Sequence, residues 1–339
     1  MKNLLEEVLL LESLETGYGS GNRKKLILPA LTATAARGEL VAVIGRNGIG
    51  KSTLLRTLAG LQPPLGGNIK INGRNISDYS RLELARQTGY ISTESVKVSN
   101  MTVYDLVALG RFPHTNWIGN QDSKNMASIF EALELTSMGG FHHRFINEIS
   151  DGERQKAMIA RIIAQDAGIM IMDEPTAFLD AGSRFEVLHL LNTLAHEKGK
   201  TIIFSTHDLH MAVNQADKIW LISGNSLHEG APEDLMIEGV FDHLFDASNV
   251  RFNPTSGTFS FETSIRGSVY IDGKGLEKIW VEKALNRLGF TGTENETIPF
   301  IRINTSNQTT YDLVSKDITV KSTSVYELVS LLKNTFKTI

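Results

Sequence analysis

The sequence predicts an α/β protein built on a mostly parallel sheet, followed by a small α+β unit. Three observations lead there. Four short runs, "LVAVIG" (40–45), "GIMIMDEP" (168–175), "TIIFSTHD" (201–208) and "KIWLISG" (218–224), each carry apolar side chains on consecutive residues, as strands covered on both faces do. Helical patterns such as "GERQKAMIARIIAQ" (152–165) and "RFEVLHLLNTLAHEKG" (184–199) stand among them, and that alternation is the mark of a parallel sheet. Near Asn249 to Gly257, Asn, Pro, Ser and Gly accumulate. Beyond that boundary the pattern restarts with alternating strands.

Composition narrows the possibilities. At 339 residues the chain suits one large domain with a smaller companion better than a single unit. The formal net charge of -4 argues against a surface built to neutralise a phosphate backbone, so nucleic acid is not the expected partner. There is no cysteine, which removes disulfides, thiolate metal sites and cysteine nucleophiles together. The N-terminal segment is interrupted by Glu6, Glu7, Glu12 and Glu15 and does not suit the core of a signal peptide. No stretch approaches the roughly 20 apolar residues that span a bilayer, so a channel, if one is served, belongs to another chain.

In chain order, the first element that carries chemistry is "GRNGIGKS", which is Gly45, Arg46, Asn47, Gly48, Ile49, Gly50, Lys51 and Ser52. It matches G-x-x-x-x-G-K-[ST] between the strand "VAVI" and the helix "STLLRTLA". Such a loop turns its N–H groups toward a phosphate, and the helix start adds favourable partial charge. Lys51 would reach the outer phosphates, Ser52 would ligate Mg²⁺, and Thr53 would reach the innermost phosphate.

From Ile91 to Ser150 the text changes to helix-like pieces, "TVYDLVALGRF" and "DSKNMASIFEALELTSM", which read as a helical insertion at about 94–150. Spacing places Val103, Leu106, Val107 and Leu109 on one packed face of the first piece. "ISDGERQKAMIARIIAQ" follows, and its Ser150 and Glu153 form an S-x-x-E capping box ahead of an apolar-periodic helix. Next, "GIMIMDEP" ends an apolar strand in two carboxylates. Beside a phosphate loop, Asp173 would hold Mg²⁺ and Glu174 would act as general base toward water.

The order of phosphate loop, helical insertion, "ISDGE", apolar strand ending in Asp-Glu, "FLD" and "STHD" resembles the ATP-binding-cassette ATPases over about residues 10 to 245. The resemblance implies a P-loop fold over 1–250 that binds ATP with Mg²⁺, and a head-to-tail homodimer with ATP between the subunits. Ser150, Gly152 and Glu153 would then meet the partner's nucleotide. Asp180 in "AFLD" would sit in the loop linking the two composite sites, and His207 would touch the γ-phosphate. Tyr18 in "LETGYGS" falls where the family stacks an aromatic ring on adenine.

Two positions depart from the family pattern. Asp151 stands where the first of two glycines is usual, and is expected to face solvent or help cap the helix. Thr93, in "GYISTES", stands where the family carries a glutamine that senses Mg²⁺ and water. "GRFPH" (110–114) resembles the same region in importer ATPases for iron siderophores, haem and cobalamin. It implies a peripheral ATPase at the cytoplasmic face of the membrane, serving two membrane-spanning permease subunits and, indirectly, an extracytoplasmic substrate-binding protein. Two alternatives are a soluble mechanical ATPase and a poorly hydrolysing regulatory subunit. The first generally carries coiled-coil arms or a second cassette, and neither is present. Steady-state ATP hydrolysis with and without membrane subunits separates the second. Residues 251–339 read as a small α+β accessory unit without a motif of known chemistry.

Overall fold

The computed structural model describes residues 6–19, 23–93, 100–115, 123–241, 250–253, 258–261, 266–295, 299–305, 308–315 and 319–335. The start of the helical insertion at 94–99, the segment 116–122 after "GRFPHT", and most of the expected boundary at 249–257 lie outside these residues. The chain divides into two compact units, Met1–Ala247 with Phe252–Thr258, and Ser248–Arg251 with Phe259–Ile339.

The first unit holds two sheets. Strands β1 (Glu7–Tyr18), β2 (Lys25–Ala36), β4 (Gly66–Ile71) and β5 (Arg74–Asn75) form an antiparallel sheet in the order β2-β1-β4-β5. The other sheet contains β3 (Leu40–Gly45), β6 (Thr88–Ile91), β7 (Ile169–Met172), β8 (Thr201–Ser205), β9 (Lys218–Ser223) and β10 (Ser226–Gly230). Its order is β10-β9-β3-β8-β7-β6, parallel except for β10. The parallel sheet is the predicted one; the antiparallel sheet is an addition. Helix α1 (Lys51–Leu58) places Leu54, Leu55 and Leu58 in one core with Leu9, Leu11 and Leu14 of β1 and with Val43, Ile171 and Trp220 of the parallel sheet. Each such buried aliphatic side chain contributes roughly 1.5–3 kcal/mol, so α1 and the loop before it are held between two rigid layers.

Helix α2 (Arg81–Gln87) precedes β6, and the insertion follows it with α3 (Val103–Ala108) and α4 (Ser123–Leu135), both packed on α5 (Asp151–Gln165). Helices α6 (Ala181–His196), α7 (Leu209–Gln215) and α8 (Pro232–Ile237) complete the unit. Val103, Leu106 and Val107 are buried as spacing predicts, whereas Leu109 is 54% exposed. The reason is the helical period itself, because at 3.6 residues per turn Leu109, the C-cap of α3, falls well to one side of the face shared by Val103, Leu106 and Val107.

A 3₁₀ turn over Leu109–His114 explains "GRFPH" structurally. A Cβ on Gly110 would stand 2.0 Å from the carbonyl oxygen of Arg161, so only glycine lets the turn lie against α5. Arg111 is buried and donates to Asn125 Oδ1 and to the Ala164 carbonyl, and His114 Nε2 lies 2.9 Å from the Gln165 carbonyl oxygen. Both side chains thereby satisfy carbonyls left open at the end of α5. Phe112 is 74% exposed.

Strands β11 (Val250–Asn253) and β12 (Thr258–Phe261) form a separate pair. The second unit has a five-stranded sheet of β13 (Gly267–Asp272), β14 (Phe290–Thr293), β15 (Phe300–Asn304), β16 (Thr310–Val314) and β17 (Thr319–Ser322), in the order β14-β13-β15-β16-β17. β13 is parallel to both neighbours, and the pairings beyond β15 are antiparallel. Helices α9 (Gly275–Arg287) and α10 (Val325–Thr335) contribute Val281, Leu285, Leu328 and Leu332 to one core with Val269, Ile271, Ile301 and Leu313 of the sheet.

Candidate functional site

The site forms at the carboxyl ends of the parallel strands, where open α/β sheets hold their ligands. β3 ends at Gly45, and the exposed residues Arg46, Asn47 and Gly48 lead through Ile49 and Gly50 into α1. Gly50, the helix N-cap, has φ of 118°, a conformation that a side chain at this position would strain. A Cβ there would also come within 2.6 Å of Ile27 Cγ2. The strand, the close contact with β2 and the helix core together fix the loop.

Lys51 is buried, and its ammonium donates to the carbonyl oxygens of Gly45, at 2.8 Å, and Arg46, at 3.4 Å. Burial lowers its pKa below the usual lysine value, while the negative charges of Glu174 and then Asp173 oppose that shift. Next in the helix, Ser52 is exposed and Thr53 is buried. The Tyr18 hydroxyl and Thr53 Oγ1 share a hydrogen bond of 2.8 Å, which ties the end of β1 to α1.

Across the sheet, β7 delivers Asp173 and Glu174. Asp173 is buried, with its N–H on the Ile91 carbonyl and its own carbonyl accepting from Thr93 Oγ1 at 3.1 Å. Thr93 therefore spends its hydroxyl on the backbone of the acidic strand end. Glu174 takes a positive φ of 49°, uncommon for a residue with a side chain. Its Oε2 is 3.5 Å from His207 Nδ1, and His207 stands two residues past the end of β8. One residue that sequence reasoning did not single out joins this group. Ser205, the last residue of β8, donates to Asp173 Oδ1 at 2.7 Å and accepts from the Glu174 N–H at 2.9 Å. Its signal in the sequence is a polar side chain placed directly after the apolar run Ile202, Ile203 and Phe204.

The start of α5 lies at a second place. Ser150 is its N-cap, accepting from the Glu153 N–H, while Glu153 accepts from the Ser150 N–H at 2.7 Å and from its hydroxyl at 2.8 Å. The N–H of Ser150, then its hydroxyl, hold the Glu153 carboxyl below the usual glutamate range. Asp151 is exposed and pairs with Arg154 at 2.5 Å, so its charge is met within its own helix turn. A Cβ on Gly152 would stand 2.7 Å from Ser183 Oγ in α6, where Asp180 is the N-cap and accepts from the Ser183 N–H and hydroxyl. A pocket reaches between the two places, lined in part by Thr93, Asp151, Arg154, Glu174 and Phe178.

Chemically, the first place gathers one cation, two carboxylates, an imidazole and a loop of backbone N–H groups. The oxygen donors of Asp173 and Ser52 suit a small hard cation such as Mg²⁺. Among the described residues, no helix is long and apolar enough to cross a membrane.

Comparisons with known proteins agree with this geometry. The ABC transporter family matches residues 28–177, and the iron ABC transporter C-terminal domain family matches residues 266–333. An uncharacterized ABC transporter ATP-binding protein of Methanocaldococcus jannaschii is 36% identical over 258 residues, 76% of this chain and 88% of that protein. The ferric enterobactin transport ATP-binding protein FepC of Escherichia coli is 34% identical, over 69% of this chain and 85% of its own. The probable siderophore transport system ATP-binding protein YusV of Bacillus subtilis is 33% identical, over 73% and 89%. Among solved structures, CbiO1 of Clostridium perfringens, part of the CbiONQ transporter complex, aligns with a TM-score of 0.61 at 26% identity, covering 69% of this chain and 92% of its own.

Proposed function

Because the chain belongs to the ATP-binding proteins of ABC transporters, we propose that it hydrolyses ATP to drive uptake of a ferric siderophore. It would work as a homodimer beneath two permease subunits at the cytoplasmic face of the membrane. The observation that carries the chemistry is a phosphate loop with Lys51 held on the Gly45 and Arg46 carbonyls, together with an acidic pair in which Ser205 bonds Asp173 and the Glu174 N–H and His207 stands 3.5 Å from Glu174. Ferric siderophores are the favoured cargo because FepC and YusV are named for them. The iron ABC transporter C-terminal domain family also matches residues 266–333 of this chain.

In this reading the loop N–H groups and Lys51 bind the triphosphate, and Tyr18 offers its ring to the base. Ser52 and Asp173 would hold Mg²⁺, which when bound would neutralise charge on the phosphate oxygens. Glu174 takes a proton from the attacking water, and His207 stands beside it to orient the γ-phosphate end of the site. A bond forms from water oxygen to the γ-phosphorus as the bond to the bridging oxygen breaks. Ser150, Gly152 and Glu153 complete the site of the partner copy, with Asp180 in the loop between the two sites, while Thr93 keeps the end of β6 fastened to Asp173.

Co-expression with permease subunits of a ferric-siderophore importer tests the proposal. ATP hydrolysis and uptake of a radiolabelled ferric siderophore are expected together, and Glu174→Gln should retain ATP binding while lowering turnover by about 10²–10⁴-fold. Near-normal turnover in that variant overturns the assignment of the base, and absence of uptake with intact hydrolysis overturns the cargo.

A further inference from the structure

A hydroxyl with no exposure to water must find its hydrogen-bond partners inside the protein. Ser205 is 0% exposed, and both its donor and its acceptor capacity are used on two consecutive acidic residues of the neighbouring strand. The register explains why. Met172 pairs with Phe204 in the parallel ladder between β7 and β8, so the next residues, Asp173 and Ser205, stand across from each other where the strands end.

The geometry points to Ser205 as the positioning residue for both acidic groups of the ATPase site. It acts on Asp173 through the side chain, because its O–H occupies Oδ1 and leaves Oδ2 for a cation. On Glu174 it acts through the backbone, by holding the N–H of a residue in the left-handed region. A single hydroxyl thereby sets the metal-facing carboxylate and the direction in which the general base leaves the chain. Thr206 does different work, accepting from the Asp208 N–H, so the neighbouring hydroxyl is not a substitute. The inference rests on the reading of Asp173 and Glu174 given above.

The test uses the full chain with Mn²⁺ as the metal probe. Bound Mn²⁺ is read by electron paramagnetic resonance in the presence of ATP, and ATP affinity is measured separately in EDTA. Ser205→Ala should keep metal-free ATP affinity within about two-fold and weaken Mn²⁺ retention by about 10–100-fold, the range seen when a group that orients a metal ligand is removed. Turnover should fall by a similar factor, with KM for ATP nearly constant at saturating metal. Asp173→Asn alone should also weaken Mn²⁺, and adding Ser205→Ala to it should change Mn²⁺ retention by less than about two-fold, because the two act through one carboxylate.

Normal Mn²⁺ retention and turnover in Ser205→Ala, beside a weakened Asp173→Asn, overturns the role of Ser205 alone. Equal loss of ATP affinity with and without metal overturns it as well, since that is the signature of general damage. Full Mn²⁺ retention in Asp173→Asn overturns the site reading and this inference together. An additive loss in the double variant overturns the route through Asp173.

Discussion

His207 Nδ1 lies 3.5 Å from Glu174 Oε2, and each residue stands two positions beyond the end of one of the adjacent parallel strands β7 and β8. That separation is beyond a good hydrogen bond and within the reach of a small rotation. His207→Ala should therefore leave ATP affinity within a few fold and lower turnover by about 10²-fold or more. Single-turnover hydrolysis beside equilibrium nucleotide binding checks this. Retained turnover would remove His207 from the reaction.

Tyr18 separates two functions in one side chain. Its hydroxyl is engaged with Thr53, and the residue is 50% exposed. Tyr18→Phe is expected to lower unfolding stability by about 1 kcal/mol with ATP affinity nearly unchanged. Tyr18→Ala should also lose about 1–3 kcal/mol of nucleotide binding, the worth of one base on one ring. Equal losses of affinity in the two variants would mean that the ring does not stack.

The "GRFPH" turn makes opposite predictions at two positions, Gly110 and Phe112. Gly110→Ala sets a methyl group against the Arg161 carbonyl and should destabilise the chain by about 1–3 kcal/mol in urea unfolding. Phe112→Ala removes an exposed ring and should change stability by no more than about 0.5 kcal/mol, yet lower the stimulation of ATP hydrolysis by permease subunits. Unchanged stimulation would mean that the Phe112 ring takes no part in contact with the permease.

Acid should loosen the helix starts first. Glu83 and Glu153 are held below their ordinary range chiefly by the N–H groups of Ser80 and Ser150, Asp180 by that of Ser183 and Glu327 by that of Thr323. Their folded values lie below the unfolded ones, so the stability they contribute is complete above the unfolded carboxylate values of about 4. It drains away as pH falls further, through the folded values. Urea midpoints should be level between neutrality and about pH 5 and decline below about pH 4. Glu153→Gln should lower the neutral midpoint and flatten part of that decline; an unchanged profile would show that this cap carries no linkage.

How much of this was legible depended on the periodicity of each segment. β3, β7, β8 and β9 are buried along nearly their whole length, so continuous apolar text revealed them. β1 was hidden because its register shifts between Leu11 and Leu14, where Ser13 has φ of 46°, and the two-residue alternation slips at that bulge. β14 is four residues long with a glycine inside it, too little pattern to find. The phosphate loop, Asp173 and Glu174 carry local signatures. The role of Ser205 depends on which strands are neighbours, and a linear text does not contain that order.

Gly152 leaves no clearance between the first turn of α5 and Ser183 of α6. Two helix openings in such close contact resist further approach, so a push of one toward the other is passed on with little slack. The missing methyl group thus makes a bearing surface between the opening of α5 and that of α6.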